Sequence, residues 1–222
     1  MFREKLLKEA IKLYLGEHVL ERVLAQGFGA LQVGAVQSEM TVMWIEPKVN
    51  WTQLATLNPG EIAGARIEYW STIIQTIEQN CGVVDNYVGD AIMAYFGGKD
   101  GENHAALAIS CAACVLESLR NSKAPFASVF SARIGIDTGP VSFGNIGTAK
   151  RLKFTVMGDV VNVAARLIGR MSDFRARVLL TGAVKSSAGT AANEAVLRVG
   201  ELNIAQKAET IELFSFHDAL EA

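Results

Sequence analysis

The stretch Cys81–Gly98, CGVVDNYVGDAIMAYFGG, constrains this chain more than any other. Two short runs rich in Val, Ile, Tyr and Phe, the composition of strands, meet at Gly89-Asp90, so a hairpin is expected there. Gly-Asp is ordinary turn chemistry, which accounts for Asp90 as a turn residue. The same carboxylate can also serve as a metal ligand, and the rest of the chain has to decide between the two.

Around the hairpin the elements fall in a definite order. MTVMWI, Met40–Ile45, reads as a strand. After Asn58-Pro59-Gly60 comes a helix with Ile67, Trp70, Ile74 and Ile77 on one face and Cys81-Gly82 past its end. Beyond the hairpin a second helix runs from about Asn103 to Leu119, and a strand follows across SVFSARIGI. The order β-α-β-β-α-β is the split βαβ, ferredoxin-like plan of an α+β fold, an antiparallel sheet with both helices on one face. It brings Glu46, just past the first strand, beside Asp90 on the open side of the sheet. Two carboxylates crowded in this way repel unless cations lie between them. A pair of divalent ions about 3.5–4 Å apart, held by shared carboxylates, is an arrangement used for in-line displacement at phosphorus.

Ahead of this core, Leu7, Ile11, Tyr14 and Leu15 recur at helical spacing, and HVLERVL continues the pattern to about Leu24 before QGFGALQVG breaks it. Residues 1–36 are therefore read as a helical N-terminal extension and residues 37–222 as the main domain. The extension can dock on that domain, pair with a second copy or lie on a membrane surface, with packing the default. Half of the 222 residues are apolar, enough for a sizeable core. A formal net charge of −2 with interspersed signs lacks the clustered basic face of a nucleic-acid binder, so no nucleic-acid partner is expected. MFREKLLKEAIKLYL has no signal-peptide pattern, and the longest nearly apolar stretch, AALAISCAACVL, is too short to span a bilayer. The protein is read as cytoplasmic, without a membrane span, and from its initiating Met and short extension as a complete chain. Three cysteines make no disulfide framework, and Cys111 and Cys114 lie inside an apolar helix, where they read as core packing rather than a redox pair. His18, His104 and His217 are too scattered to share a metal by spacing.

Three longer motifs occur in order and register: YVGDAIMAYFGG, ARIGIDTGPVSFGNIG and FTVMGDVVNVAARL. With them the chain from about Met40 to Phe216 resembles the catalytic domain of the class III adenylate and guanylate cyclases, and YLGEHVLERVL resembles the short helical element that often precedes such domains. The resemblance implies attack of a nucleoside triphosphate's 3′-hydroxyl on its own α-phosphorus, releasing pyrophosphate and a cyclic 3′,5′-monophosphate. It also implies two divalent cations, Mg²⁺ or Mn²⁺, as cofactors. By position, Asp90 matches a metal-binding Asp, Glu46 falls where the family has its other metal-binding Asp, and Pro47 where a backbone carbonyl joins the coordination. Arg133 matches a phosphate-binding Arg. Asn162 and Arg166 match the catalytic pair that orients the ribose and stabilises the transition state; four apart, they share one face of a helix. Lys207 matches a lysine that binds the terminal phosphates. The family assembles its sites across a homodimer, metal ligands and Arg133 from one protomer and the base pocket, Asn162, Arg166 and Lys207 from the other.

Two departures from the family pattern stand out. WIEPKVNWT replaces a FADIVGFT-like stretch, with Glu46 for Asp. Glu is a good oxygen ligand for Mg²⁺ or Mn²⁺, but its extra methylene displaces the carboxylate, and a misplacement of about 1 Å can cost on the order of 10²-fold in rate. Adenylate cyclases typically carry Lys, and guanylate cyclases commonly Glu, where this chain has Asn86, and adenylate cyclases Thr or Asp where it has Thr155. Asn86 and Thr155 each donate or accept a hydrogen bond, so as base-reading residues they match neither purine code and leave pyrimidines open. In plan the chain is similar to the small stand-alone pyrimidine cyclases of antiphage defence, which make cyclic UMP or cyclic CMP. The alternative from another class is a catalytically degenerate cyclase-homology domain acting as a dimerisation or nucleotide-sensing module.

Overall fold

In the computed structural model, which describes residues 2–98, 101–192, 196–203 and 210–220, helices α1 (Phe2–Leu15) and α2 (Glu17–Gln26) precede strand β1 (Gly34–Val49). A single turn, α3 (Trp51–Leu54), leads to helix α4 (Pro59–Gln79), the hairpin β2 (Val83–Val88) and β3 (Ala91–Phe96), and helix α5 (His104–Asn121). Strands β4 (Phe130–Thr148) and β5 (Arg151–Met157), helix α6 (Asp159–Ile168), strand β6 (Val178–Thr181), helix α7 (Gly182–Ala188) and strands β7 (Val196–Asn203) and β8 (Thr210–Phe216) follow. By internal packing these residues form two units, residues 39–140 with 158–222 and residues 1–38 with 141–157. None of the described helices is long and apolar enough to cross a membrane.

The larger unit carries the expected β-α-β-β-α-β plan. Its strands lie in the order β2-β3-β1-β4-β6-β8-β7, and β1–β3 and β2–β3 pair antiparallel. Helices α4 and α5 pack on one face: Tyr69, Ile73 and Ile77 of α4 and Ala108, Ala112 and Val115 of α5 meet Met43, Ile45, Ala94, Ile134 and Ile136 in one buried cluster. Helix α6 lies on the opposite face, where Val163 and Leu167 join Leu179, Leu202 and Leu213 in a second cluster. Gly135 permits that approach, because a Cβ there would overlap the backbone carbonyl oxygen of Ala164.

Local chemistry sets the boundaries. Asn58 accepts from the backbone N–H groups of Gly60 and Glu61, and the Glu61 carboxylate in turn accepts from the Asn58 backbone N–H at 2.8 Å, a reciprocal cap with Pro59 in the first turn. Asn103 caps α5 through Ala106 N at 3.0 Å.

Three expectations are corrected. The inward stripe of α4 is Ala65, Tyr69, Ile73, Thr76 and Ile77, while Ile67 is 61% exposed and Trp70 and Ile74 only half-buried. The helix carries apolar residues on two stripes, and the tyrosine goes inside because its hydroxyl reaches the Ser131 carbonyl and its ring packs on Phe126 and Phe130. Strand β1 runs through Val49, so Glu46 lies in the strand rather than just past it. The helical pattern of the extension is cut at Gly16, whose φ of +94° ends α1.

In the smaller unit the second half of β4 pairs with β5, from Ser142↔Met157 to Thr148↔Arg151. Helix α2 packs there on Phe154, with the Arg22 guanidinium 4.6 Å above the ring and His18 beside it. Asn145 is buried and spends both amide hydrogens on the carbonyls of Ala30 and Gln32, each at 2.7 Å. Helix α1 buries no residue.

Candidate active site

The β1–β3 register is the foundation of the site. Ile45 pairs with Ile92, and one step further along β1 Glu46 comes level with Ala91, next to Asp90 in the turn of the β2–β3 hairpin. Gly89 adopts φ +62°, the left-handed conformation this tight turn requires. Alternation along β1 puts Met43 and Ile45 under the helices, and Glu46 on the other face with Trp44. Arg133 shares that face, since its neighbours Ala132 and Ile134 point into the helix-side cluster.

Both carboxylates carry an arginine. Arg133 donates from Nη2 to Glu46 Oε2 at 3.1 Å, and the two side chains are 38% and 35% exposed. The Arg133 Nε is buried without an acceptor among the described residues, so this guanidinium keeps an uncommitted donor beside the carboxylate. Asp90 takes the Arg66 guanidinium from α4 on Oδ1, and the Trp70 indole N–H donates to the Asp90 backbone carbonyl at 3.4 Å. Beneath the pair, burial pushes the Tyr69 phenol far above its ordinary range, with Arg133 pulling it down and Glu46 up, so it stays neutral.

This donor set suits a hard divalent cation. Two half-exposed carboxylates with a backbone carbonyl at Pro47 supply only oxygens, and no group of three or more His, Cys, Asp or Glu that could enclose a metal occurs among the described residues. Mg²⁺ takes one or two protein carboxylates and fills its remaining positions from phosphate and water, so a two-carboxylate site fits it better than a closed cage would.

The other candidates sit on separate elements. Asn162 and Arg166 are exposed on α6, on the side away from the buried Val160, Val163, Ala164 and Leu167, and neither has a hydrogen-bond or ion-pair partner among the described residues. Asn86 is exposed on β2, directly after a bulge: the register passes from Val84↔Ala94 to Asn86↔Met93, leaving Asp85 as the extra residue. Such a bulge re-aims the side chains that follow it. Thr155 is half-buried in β5 of the smaller unit, opposite Gly144, with its hydroxyl turned to the Val156 carbonyl at 3.4 Å. Lys207 lies outside the described residues. Reading by sequence missed Arg66, whose only signal is its i, i+4 spacing to Trp70, and it missed the β2 bulge entirely.

Comparison with known proteins gives the family and the fold. The profile of the adenylate and guanylate cyclase catalytic domain matches residues 37–214. Adenylate cyclase 1 of Rhizobium meliloti is 32% identical over 178 residues, covering 78% of this chain and 26% of that protein. An adenylate cyclase of Anabaena cylindrica is 30% identical over 167 residues, 73% of this chain and 33% of its own length. The chain spans a third or less of the curated relatives it matches. A bacterial light-regulated adenylyl cyclase has the same fold, with a TM-score of 0.80 at 22% identity over 99% of this chain and 63% of that one.

Proposed function

The chain belongs to the adenylate and guanylate cyclase catalytic-domain family, and on that footing we propose that it converts a nucleoside triphosphate into a cyclic 3′,5′-monophosphate and pyrophosphate. The observation that carries this reading is the placing of two carboxylates, Glu46 within β1 and Asp90 in the turn of the neighbouring β2–β3 hairpin, with an arginine, Arg133, that holds Glu46 and keeps an uncommitted donor. Glu46, Asp90 and the Pro47 carbonyl would hold two divalent cations, Mg²⁺ or Mn²⁺, which when bound lower the pKa of the attacking hydroxyl and neutralise the triphosphate.

The chain's own residues do the rest. Arg133 turns its free Nε and fork to a phosphate oxygen, a geometry a guanidinium matches well. Asn162 orients the ribose, and Arg166 places a fixed positive charge where charge grows on the α-phosphoryl group, stabilisation that costs no reorganisation at the moment of reaction. Lys207 binds the terminal phosphates. Asn86 and Thr155 read the base.

Asn162 and Arg166 are exposed on α6 without a polar partner among the described residues, which supports a homodimer with composite sites. In it, one protomer contributes Glu46, Asp90 and Arg133, and the other contributes the base-reading residues, Asn162, Arg166 and Lys207. The named adenylate cyclases among the relatives point to ATP, while the neutral Asn86 and Thr155 side chains suit UTP and CTP as well.

The test is a comparison of ATP, GTP, CTP and UTP, each incubated with purified protein and Mn²⁺ or Mg²⁺, with products identified by chromatography and mass. One cyclic monophosphate is expected, and its base assigns the signalling role, conventional for cyclic AMP or GMP and antiviral defence for cyclic UMP or CMP. No product from any of the four, from protein that is dimeric in solution, overturns the reading in favour of a degenerate module. In the active case Asp90→Ala abolishes turnover while circular dichroism and the dimer are unchanged.

A further inference from the structure

We propose that Arg66 is a positioning residue of the metal site: its guanidinium competes with the divalent cation for the Asp90 carboxylate, so that metal binding requires Arg66 to let go. The inference rests on the reading of Asp90 as a metal ligand, and goes beyond it by giving a role to a helix residue outside the site's ligand set.

The geometry separates this pair from an ordinary surface ion pair. Arg66 reaches Asp90 Oδ1 across 24 residues of sequence, from a helix on to the turn of a hairpin. Its guanidinium carbon also lies 5.9 Å from the Trp70 ring and 5.8 Å from the Phe130 ring, within the range at which aromatic faces attract a cation. The guanidinium is thus held between one anion and two aromatic faces, and the faces can retain it when the anion is taken by another cation.

The turn does not need the ion pair for its own position. Its register is set by Val88↔Ala91, and its backbone is tethered by the Trp70 indole to the Asp90 carbonyl at 3.4 Å. What Arg66 adds is charge on the carboxylate oxygen that a metal would use. Arg133 holds Glu46 in a corresponding way, but with an uncommitted Nε and a phosphate to bind; among the described residues the Asp90 carboxylate is the only polar partner of the Arg66 guanidinium.

The pair is part-exposed, with side-chain exposures of 28% and 47%, so its breaking is a modest cost. Pairs of this kind correspond to an affinity factor of up to about fivefold. Arg66 therefore weakens metal binding without preventing it.

The experiment measures Mn²⁺ binding to the nucleotide-free full-length protein by calorimetry and by electron paramagnetic resonance of free Mn²⁺. Arg66→Gln is expected to lower the Mn²⁺ Kd by about two- to fivefold, and Arg66→Lys, which keeps the cation, to restore most of the wild-type value. A Kd for Arg66→Gln equal to or above wild type overturns the proposal. Asp90→Ala separates this inference from the reading beneath it. If that variant binds Mn²⁺ as wild type does, the metal reading of Asp90 fails and the role of Arg66 with it. If it loses binding while Arg66→Gln changes nothing, the role of Arg66 alone fails. Should Arg66→Gln not fold, the wild-type protein carries the test: the Trp70 indole N–H resonance, assigned with Trp70→Phe, is expected to shift as Mg²⁺ displaces the guanidinium, and an unmoved resonance at saturating Mg²⁺ overturns the proposal.

Discussion

Cys81 ends α4 in the left-handed region, φ +61°, a conformation that costs an ordinary L-residue about 1–2 kcal/mol and glycine almost nothing. Cys81→Gly is therefore expected to stabilise the fold by about 1 kcal/mol, part of the gain being offset by the freer unfolded chain, as urea melts would show. Thiol labelling checks the accompanying burial: Cys81 is exposed, whereas burial pushes the Cys111 thiol up to about 12, so Cys111 reacts only on unfolding. His104 supplies a pH dependence. The Thr138 hydroxyl donates to the Met40 carbonyl and the Thr41 hydroxyl donates to Thr138, so the 2.8 Å contact between Thr41 Oγ1 and His104 Nδ1 requires the imidazole to donate. Burial lowers the His104 pKa below its ordinary 6.5, against the pull of Glu39 and Glu102. As the pH falls the unfolded chain takes up the proton first, so stability present above 6.5 is lost as the pH drops through the window below it. The melting temperature is expected to fall between about pH 7 and pH 5, and His104→Asn to flatten that fall.

At the scale of elements, the close contact of β4 with α6 matters most, because α6 presents Asn162 and Arg166. Gly135→Ala would drive a methyl into the Ala164 carbonyl, so either the helix shifts or the sheet bends. Overpacking of this kind costs about 1–3 kcal/mol. The variant is expected to melt earlier and, if it folds, to lose turnover more than substrate binding, since a helix displaced by about 1 Å is enough to misplace a reacting group; steady-state kinetics on the folded fraction separates the two. The order of the elements was legible, because Asn58-Pro59, Asn103 and Gly89-Asp90 are strong local punctuation. The inward face of α4 was not. Tyr69 and Trp70 are adjacent aromatics on a helix with two apolar stripes, and the polar partner that draws Tyr69 inside, the Ser131 carbonyl, is 62 residues away.

For the whole molecule, a site shared between two protomers makes a prediction that a self-contained site does not. Asp90→Ala and Arg166→Ala would each be inactive alone, since each removes one half of every site. Mixed under conditions that exchange subunits, they form heterodimers with one intact site, and roughly a quarter of wild-type activity is expected to return for random two-fold pairing. A mixture as inactive as its parts would refute the composite site. The β-α-β-β-α-β order, the hairpin with Asp90 at its turn and the pairing of β1, which carries Glu46, with a strand of that hairpin were all legible in the sequence, because alternation, capping residues and turn glycines act over a few residues and sequential strands obey short connection rules. Only the tertiary structure decided which arginine each carboxylate meets, where the β2 bulge falls ahead of Asn86, and which stripe of α4 is buried. Those depend on side chains brought together from distant parts of the chain, Arg66 with Asp90 and Arg133 with Glu46, and no local pattern encodes which of several chemically equivalent partners will arrive.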